Sequence, residues 1–279
     1  MDIEKDLDLV PINQHVAAEL QRQNEKLQIK TNFQFLKAHN GLRKGKVHTF
    51  LGVTSGGKST LMRSIIFELG FALRNDGKVL IWLSEESKED FCVEMQLSGI
   101  PKEIYDQYMI ISEMNFKAMS FFDHGKFEKT LEKVIIGKNV KAMIFDNLTT
   151  SRFYEGASLS DQAKFGNTLK KIAATTNIPM LLVAHTGADV TDNYKGVIQS
   201  NNIRGSKNIV NTSEFFYILQ RFISGKFIVA TLRVTKHRGQ DVKDKIYTLK
   251  YNQQMRMYEG DNIISFSDFK NNHQQRDTF

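Results

Sequence analysis

Residues 47–59 read VHTFLGVTSGGKS, and this stretch decides the fold. Val47–Leu51 predicts a buried strand, and the residues from Lys58 to about Leu73 predict a helix. Between them, residues 52–59 match the pattern G-x-x-x-x-G-K-S, which needs a strand before it and a helix after it. We call residues 52–59 the glycine-rich loop.

The residue types of this loop suit a phosphate group. Glycines let backbone N–H groups close around phosphate oxygens, and the helix N-terminus adds a partial positive charge. We expect Lys58 to neutralise the β- and γ-phosphates and Ser59 to hold Mg²⁺. The loop therefore predicts a site for ATP or GTP. The residues expected to bind the nucleotide are Gly52, Thr54, Ser55, Gly56, Gly57, Lys58, Ser59 and Thr60.

The composition bounds the kind of protein. The chain has 279 residues, of which 41% are hydrophobic and 25% charged, as is common for soluble globular proteins. Its formal net charge of +7 is compatible with a polyanionic partner without requiring one. The single cysteine, Cys92, cannot form a disulfide within the chain, and we expect it to be a small core residue on a helix. A polar N-terminus without an apolar run of about 20 residues predicts a cytoplasmic protein.

Strands and helices alternate after the glycine-rich loop. Short apolar runs between helical segments predict a doubly wound α/β fold, with a mostly parallel sheet that is covered on both faces. The further strands are predicted at 78–83, 108–111, 141–145 and 180–184, and the further helices at 88–98, 122–136 and 161–177. After residue 212 four strands follow without a helix between them, which predicts a C-terminal antiparallel extension. These strands are predicted at 214–219, 227–235, 245–251 and 255–258.

The domain organisation follows from the same pattern. Residues 1–40 are polar and contain a helix-forming run at 16–27, so we expect an N-terminal helical arm. Residues 41–260 form the predicted nucleotide-binding domain. Residues 261–279 are polar, and we expect a mobile tail.

Carboxylates follow two of the predicted strands. Asp146 ends an apolar strand, where it could hold the hydration shell of Mg²⁺ or could be a helix cap or loop aspartate. Glu85 and Glu86 follow the strand that begins at Lys78. We expect that strand to lie beside both the strand of the glycine-rich loop and the strand of Asp146. A glutamate there could orient and deprotonate the water that attacks the γ-phosphate.

This arrangement resembles the RecA-like branch of P-loop ATPases, whose catalytic glutamate ends the strand after the phosphate-loop helix. The AAA+ branch instead carries a glutamate directly after its strand-end aspartate, and here that neighbour of Asp146 is Asn147. The resemblance implies that Glu85 is the catalytic base. Glu86 is the alternative, because a Glu-Glu pair also occurs in relatives that resemble KaiC. His185 stands where RecA-like ATPases place a polar residue close to the γ-phosphate, which implies a sensor role, although a lone histidine can also be structural.

Residues from about 33 to 258 look like the ATPase domain of the DnaB and RepA group of hexameric helicases. Two short segments have sequences similar to those of that group: Asn40–Gly45, which precedes the first strand, and Ser55–Lys58 within the glycine-rich loop. Lys236 and Arg238 resemble its Lys-x-Arg pair, which reaches across a subunit boundary to the γ-phosphate of the neighbour. The alternative is an exposed basic hairpin end.

The long loop, residues 187–207, occupies the position of the loop that faces the central channel in RecA-like hexamers and filaments. The resemblance implies that it grips single-stranded nucleic acid, with Lys195, Arg204 and Lys207 on phosphates, which gives affinity without sequence preference. The alternative is a plain mobile loop. About 40 residues ahead of the ATPase domain are too few for the N-terminal domain of DnaB, so the size is nearer to that of small plasmid RepA helicases.

Taken as a whole, the resemblance implies an ATP-hydrolysing hexameric helicase or translocase that requires Mg²⁺, moves 5′→3′ on single-stranded DNA and works with other replication proteins. Two other functions stay open. One is a filament-forming DNA recombinase or recombination mediator. The other is a KaiC-like regulatory ATPase with no nucleic-acid role.

Overall fold

The computed structural model describes residues 26–27, 31–38, 41–113, 123–190, 196–224, 227–237 and 245–264. These residues form an α/β structure built on one large sheet. The arm residues 1–25 and the tail residues 265–279 lie outside the described part of the chain.

Nine strands form the large sheet, and two short strands form a separate antiparallel pair. The pair consists of β1 (Lys26–Leu27) and β2 (Leu42–Arg43). The large sheet contains β3 (Val47–Gly52), β4 (Lys78–Leu83), β5 (Tyr108–Ser112), β6 (Val140–Asp146), β7 (Met180–His185), β8 (Phe215–Ser224), β9 (Phe227–His237), β10 (Ile246–Asn252) and β11 (Met257–Ile264).

The strand order is β11-β10-β9-β8-β3-β7-β6-β4-β5. All neighbours from β8 to β5 are parallel, and β9, β10 and β11 are antiparallel to the strands beside them. The predicted parallel sheet with a C-terminal antiparallel extension is therefore confirmed. One neighbour was predicted wrongly: β4 pairs with β6, which carries Asp146, but β7 and β6 separate it from β3.

Helices cover both faces of the sheet. They are α1 (Gln34–Lys37), α2 (Lys58–Leu73), α3 (Lys88–Leu97), α4 (His124–Gly137), α5 (Leu159–Thr176) and α6 (Asn208–Thr212), with 3-10 turns at Lys102–Gln107 and Ser200–Asn202. Successive residues of a strand point to opposite faces, so Phe50 packs with the α2 side chains and Leu51 with those of α5. Both faces are apolar because both are covered. None of the described helices is long and apolar enough to cross a membrane.

The structure differs from the predictions at the ends of the fold. Lys26–Leu27 is a strand rather than part of a helix. The last strand continues to Ile264, beyond the predicted boundary at 260, because Asp261 is buried and accepts backbone hydrogen bonds from Gln34 and Phe35 at the start of α1. The polar sequence of residues 261–279 predicts a mobile tail, and the strand corrects this prediction up to Ile264.

Two further residues correct the predicted layout. Phe35 is fully buried against Phe50, Tyr217 and Tyr247, so this part of the predicted arm belongs to the core. Cys92 does lie on a helix, α3, but its side chain is exposed, which contradicts its predicted place in the core. The buried residues of α3 are Phe91 and Met95 instead.

Candidate active site

A cleft lies where β3, β4, β6 and β7 end at the same edge of the sheet. Parallel strands bring side chains that are distant in sequence to one edge, which is where α/β proteins bind ligands. The cleft has a volume of about 330 Å³, within the usual range of small-molecule sites. Its lining residues are Thr54, Ser55, Gly57, Lys58, Ser59, Thr60, Glu85, Asp146, Asn147, His185 and Arg221.

The glycine-rich loop leaves the N-terminus of α2 open toward this cleft. Its last glycine, Gly57, is the N-cap in a left-handed conformation (φ 92°), and no described side chain caps the helix. Helices α3, α4 and α5, in contrast, are each capped by a side chain, from Ser87, Asp123 and Ser158. Because the N–H groups of a first helical turn have no partner within the helix, the uncapped α2 is suited to an anionic ligand.

Close packing explains why the loop needs glycine. A Cβ on Gly56 would lie 2.8 Å from the carbonyl oxygen of Val53, and one on Gly52 would lie 2.9 Å from that of Leu219. Ser55 also has a left-handed conformation, with φ 58°. The loop thus curves tightly between β3 and α2, which keeps its backbone close to the cleft.

Lys58 places a charge at the centre of the loop. Its side chain is buried and donates a hydrogen bond from Nζ to the carbonyl oxygen of Val53, 2.5 Å away. The same ammonium group interacts with the carboxyl group of Asp146 and lowers its pKa. A buried cation next to an uncapped helix N-terminus adds to the positive potential of the site.

The side-chain oxygens of Asp146 and Ser59 lie together in the cleft, where they could hold a metal ion. Burial raises the pKa of Asp146 to about 6, against the opposing effects of Lys58 and of the hydrogen bond to Ser59. A cation at this carboxylate would relieve that desolvation. The described residues contain no group of three or more His, Cys, Asp and Glu that could hold a metal by themselves. The pair fits Mg²⁺, which is usually bound through one or two carboxylates together with substrate phosphates.

The two adjacent glutamates diverge at the end of β4. Glu85 lines the cleft, and its Oε1 lies 3.2 Å from Nε2 of His185, a contact that lowers the pKa of Glu85. Glu86 lines a second, smaller cavity with Arg63 and Phe91, and burial raises its pKa. Of the two candidates for a catalytic base, Glu85 is the one that reaches the cleft.

Asn147 orients His185 and was not expected to matter for function. Its Oδ1 accepts hydrogen bonds from the hydroxyl groups of Thr149 and Thr150, at 3.0 Å and 2.9 Å, and from the backbone N–H of Thr150. These donors fix the amide, so its Nδ2 faces Nε2 of His185 at short distance. The signal for this residue in the sequence was its position directly after Asp146.

His185 lies between the glycine-rich loop and the carboxylates. Nε2 faces both Nδ2 of Asn147, which can only donate, and Oε1 of Glu85, which accepts, so the tautomer of the ring decides which of the two contacts is a hydrogen bond. Nδ1 faces the hydroxyl of Thr54 at 3.3 Å. The ring therefore connects the ends of β3, β4 and β6 to its own strand, β7.

Arg221 is a cleft residue that sequence reasoning missed. It lies on β8, and its Nη1 donates to the carbonyl oxygen of Ser55 over 3.1 Å. Its side chain also hydrogen-bonds to Tyr258. The predicted strand stopped at residue 219, and its continuation with period two would have shown Arg221 on the same face as Tyr217 and Leu219.

The cleft residues come from five separate parts of the chain, and the fold brings them together. No protein-family model and no curated protein matches this chain. What supports a function is therefore the chemistry that the cleft residues can perform together.

Lys236, one of the two predicted residues of the subunit boundary, lies away from the cleft. Lys236 is on β9, and its Nζ donates to the carbonyl oxygens of Val210 and Asn211, at 2.6 Å and 3.3 Å, near the end of α6. It is not among the described residues that line the cleft. Arg238 lies outside the described residues.

The long loop starts directly at the cleft. Thr186 pairs with Ile203, and the backbone N–H of Arg204 donates to the carbonyl oxygen of His185 over 2.9 Å. The guanidinium group of Arg204 is exposed and pairs with Glu155 at 2.8 Å. Lys207 is exposed as well. Lys195 lies outside the described residues.

Proposed function

We propose that this chain is a RecA-like ATPase of the DnaB and RepA type, which hydrolyses ATP and moves on single-stranded DNA as a hexamer. The strand order supports the RecA-like part. In the common dinucleotide-binding order the first two strands are neighbours, whereas here β7 and β6 lie between β3 and β4. This order sets Glu85 next to Asp146, because Leu83 pairs in register with Asp146.

The observation that carries the ATPase proposal is the convergence of Lys58, Ser59, Asp146 and Glu85 on one cleft. Lys58 and the open N–H groups of α2 would bind the phosphates. Ser59 and Asp146 would hold Mg²⁺, which neutralises negative charge that develops on the phosphates during transfer.

In this proposal Glu85 accepts a proton from the attacking water. Its pKa is lowered by His185, so the carboxylate is ionised at neutral pH and can act as a base. His185 contacts both Glu85 and Thr54 of the glycine-rich loop, so its hydrogen bonds depend on what fills the cleft. The backbone N–H of Arg204 donates to the carbonyl oxygen of His185, which connects the long loop to this residue.

Two separate observations support the proposed oligomer and the proposed DNA binding. Lys236 does not reach the cleft of its own chain, so a role on the γ-phosphate requires a neighbouring subunit. A heterologous interface of this kind closes into a ring or continues as a filament. Arg204 and Lys207 are exposed at the end of the long loop, where cations bind phosphates without sequence preference.

ATP hydrolysis measured with and without single-stranded DNA tests this function. We expect Mg²⁺-dependent turnover that DNA stimulates, and Lys58→Ala should abolish it. Hydrolysis that DNA leaves unchanged would refute the helicase and favour a regulatory ATPase.

A forked duplex separates the remaining alternative. Strand displacement supports a helicase, whereas DNA-stimulated hydrolysis without displacement supports a recombinase or mediator. Imaging particles with an ATP analogue and an oligonucleotide then shows directly whether the chain forms rings or filaments.

A further inference from the structure

Two buried side chains of the antiparallel extension hold the backbone of the long loop. Gln220 on β8 accepts from the N–H of Ile198 at 3.0 Å and donates to the carbonyl oxygen of Gly196 at 2.7 Å. Arg233 on β9 donates from Nη2 to the carbonyl oxygen of Ile198. We call Gln220 and Arg233 the loop clamp.

The clamp bonds to the backbone of the loop in the way that a neighbouring β-strand does. One glutamine amide satisfies both a donor and an acceptor of the segment 196–198, as a neighbouring strand would. Gln220 and Arg233 are 5% and 6% exposed, and Ile198 is 1% exposed, so water does not compete for these bonds. Buried backbone groups need such partners, and losing one leaves a group unsatisfied.

The position of the clamp connects it to the cleft. Gln220 and Arg221 are adjacent on β8, and adjacent side chains of a strand point to opposite faces. Gln220 thus holds the long loop, while Arg221 holds Ser55 of the glycine-rich loop from the other face. A single strand contacts both loops.

We propose that Gln220 and Arg233 are positioning residues that hold segment 196–198 against the sheet, so that DNA bound to the long loop changes the rate of hydrolysis in the cleft. This inference rests on the proposed function for its DNA part. Neither residue lies in the cleft or among the predicted DNA contacts. Without the clamp, Thr186 and Ile203 would still pair, but segment 196–198 would move independently of β8.

Gln220→Ala tests the clamp with two measurements. The first is hydrogen exchange of the Ile198 amide in the full chain without DNA, which should become about fivefold faster when one hydrogen bond is lost. The second is ATP turnover with and without single-stranded DNA. Basal turnover should stay as in the wild type, and the stimulation by DNA should fall by a factor between about 2 and about 30.

Thr231→Val is the matched control. Thr231 is buried on the same strand pair and donates to the backbone carbonyl of Gln220 at 3.1 Å, and among the described residues it makes no hydrogen bond to segment 196–198. It should leave Ile198 exchange and DNA stimulation unchanged. Gln220→Met removes both hydrogen bonds but keeps most of the side-chain volume, so it should speed Ile198 exchange in the same way and can be used if the alanine variant does not fold.

The outcomes separate the clamp from the proposed function. Unchanged Ile198 exchange in both Gln220 variants overturns the clamp, whatever DNA does. Faster exchange with full DNA stimulation overturns the coupling. If single-stranded DNA leaves the ATP turnover of the wild type unchanged, the proposed function and the coupling are both refuted. Ile198 exchange then still decides whether the clamp exists.

Discussion

Replacing Gly57 by alanine tests how tightly the glycine-rich loop is packed. Gly57 has a φ of 92°, which disfavours any residue with a Cβ. The added carbon would also lie 2.8 Å from Nη2 of Arg221 and 2.8 Å from the hydroxyl oxygen of Tyr258. The variant therefore introduces one conformational cost and two close contacts.

The magnitude follows from these two sources. A left-handed conformation costs a residue with a Cβ about 1–2 kcal/mol. Forcing a methyl group into a packed site costs about 1–3 kcal/mol more. Arg221 is exposed and can move away, whereas Tyr258 is 5% exposed and cannot move easily. We therefore expect the free energy of unfolding to fall by about 2–4 kcal/mol.

Gly99→Ala is the control for conformation alone. Gly99 has a φ of 68°, and nothing lies within 4 Å of the position of its Cβ. Its replacement should cost only about 1–2 kcal/mol. The difference between the two variants measures the contacts at Gly57.

Denaturant unfolding and titration with a fluorescent ATP analogue provide the readouts. Gly57→Ala should weaken nucleotide binding at least about tenfold, because 1.4 kcal/mol in the binding site corresponds to that factor. Gly99→Ala should leave binding unchanged. In the double variant with Tyr258→Phe, which removes the hydroxyl oxygen 2.8 Å from the added carbon, part of the cost should disappear, with a coupling of about 0.5 kcal/mol or more. Equal losses of stability in the two glycine variants, or strict additivity with Tyr258→Phe, would refute the packing described for this loop.

The remaining predictions concern charge. Glu85→Gln should lower ATP turnover, measured as phosphate release, by a factor of about 10²–10⁴ while ATP stays bound. Glu86→Gln should change the same rate less than about tenfold, and the reverse result would assign the base to Glu86. Burial raises the pKa of Asp261 from 3.8 to about 6, so the folded state holds this proton more tightly than the unfolded chain does. Stability should therefore fall by at most about 3 kcal/mol as pH rises from about 4 to about 6, and Asp261→Asn should flatten this dependence in denaturant titrations at several pH values. Glu155→Ala frees Arg204 from its ion pair and should strengthen single-strand binding at low salt, an effect that should vanish at high salt if it is electrostatic.

The sequence predicted local structure well because local patterns decide it. Helix α2 and strand β4 have the predicted bounds, Lys58–Leu73 and Lys78–Leu83, since each is a continuous apolar pattern flanked by turn residues. Local patterns likewise predict Lys58 and Ser59 at the start of α2 and Asp146 at the end of β6.

What could not be predicted depends on contacts between distant residues. The neighbours of β4 follow from sheet order, which no local pattern encodes. Asp261 is buried by two backbone groups more than 220 residues away, at Gln34 and Phe35. Arg221 reaches the cleft because β8 pairs with β3, so its role depends on a strand pairing rather than on its neighbours in sequence.

The residue after Asp146 shows how one side chain constrains another. The Oδ1 of Asn147 accepts from Thr149 and Thr150 while its Nδ2 is directed at Nε2 of His185. A glutamate at position 147 could accept from the same hydroxyl groups but, when ionised, would have no group that donates to the ring. In the proposed ATPase, position 147 therefore serves to orient His185 beside Glu85, and the base is expected at the end of β4 rather than directly after Asp146.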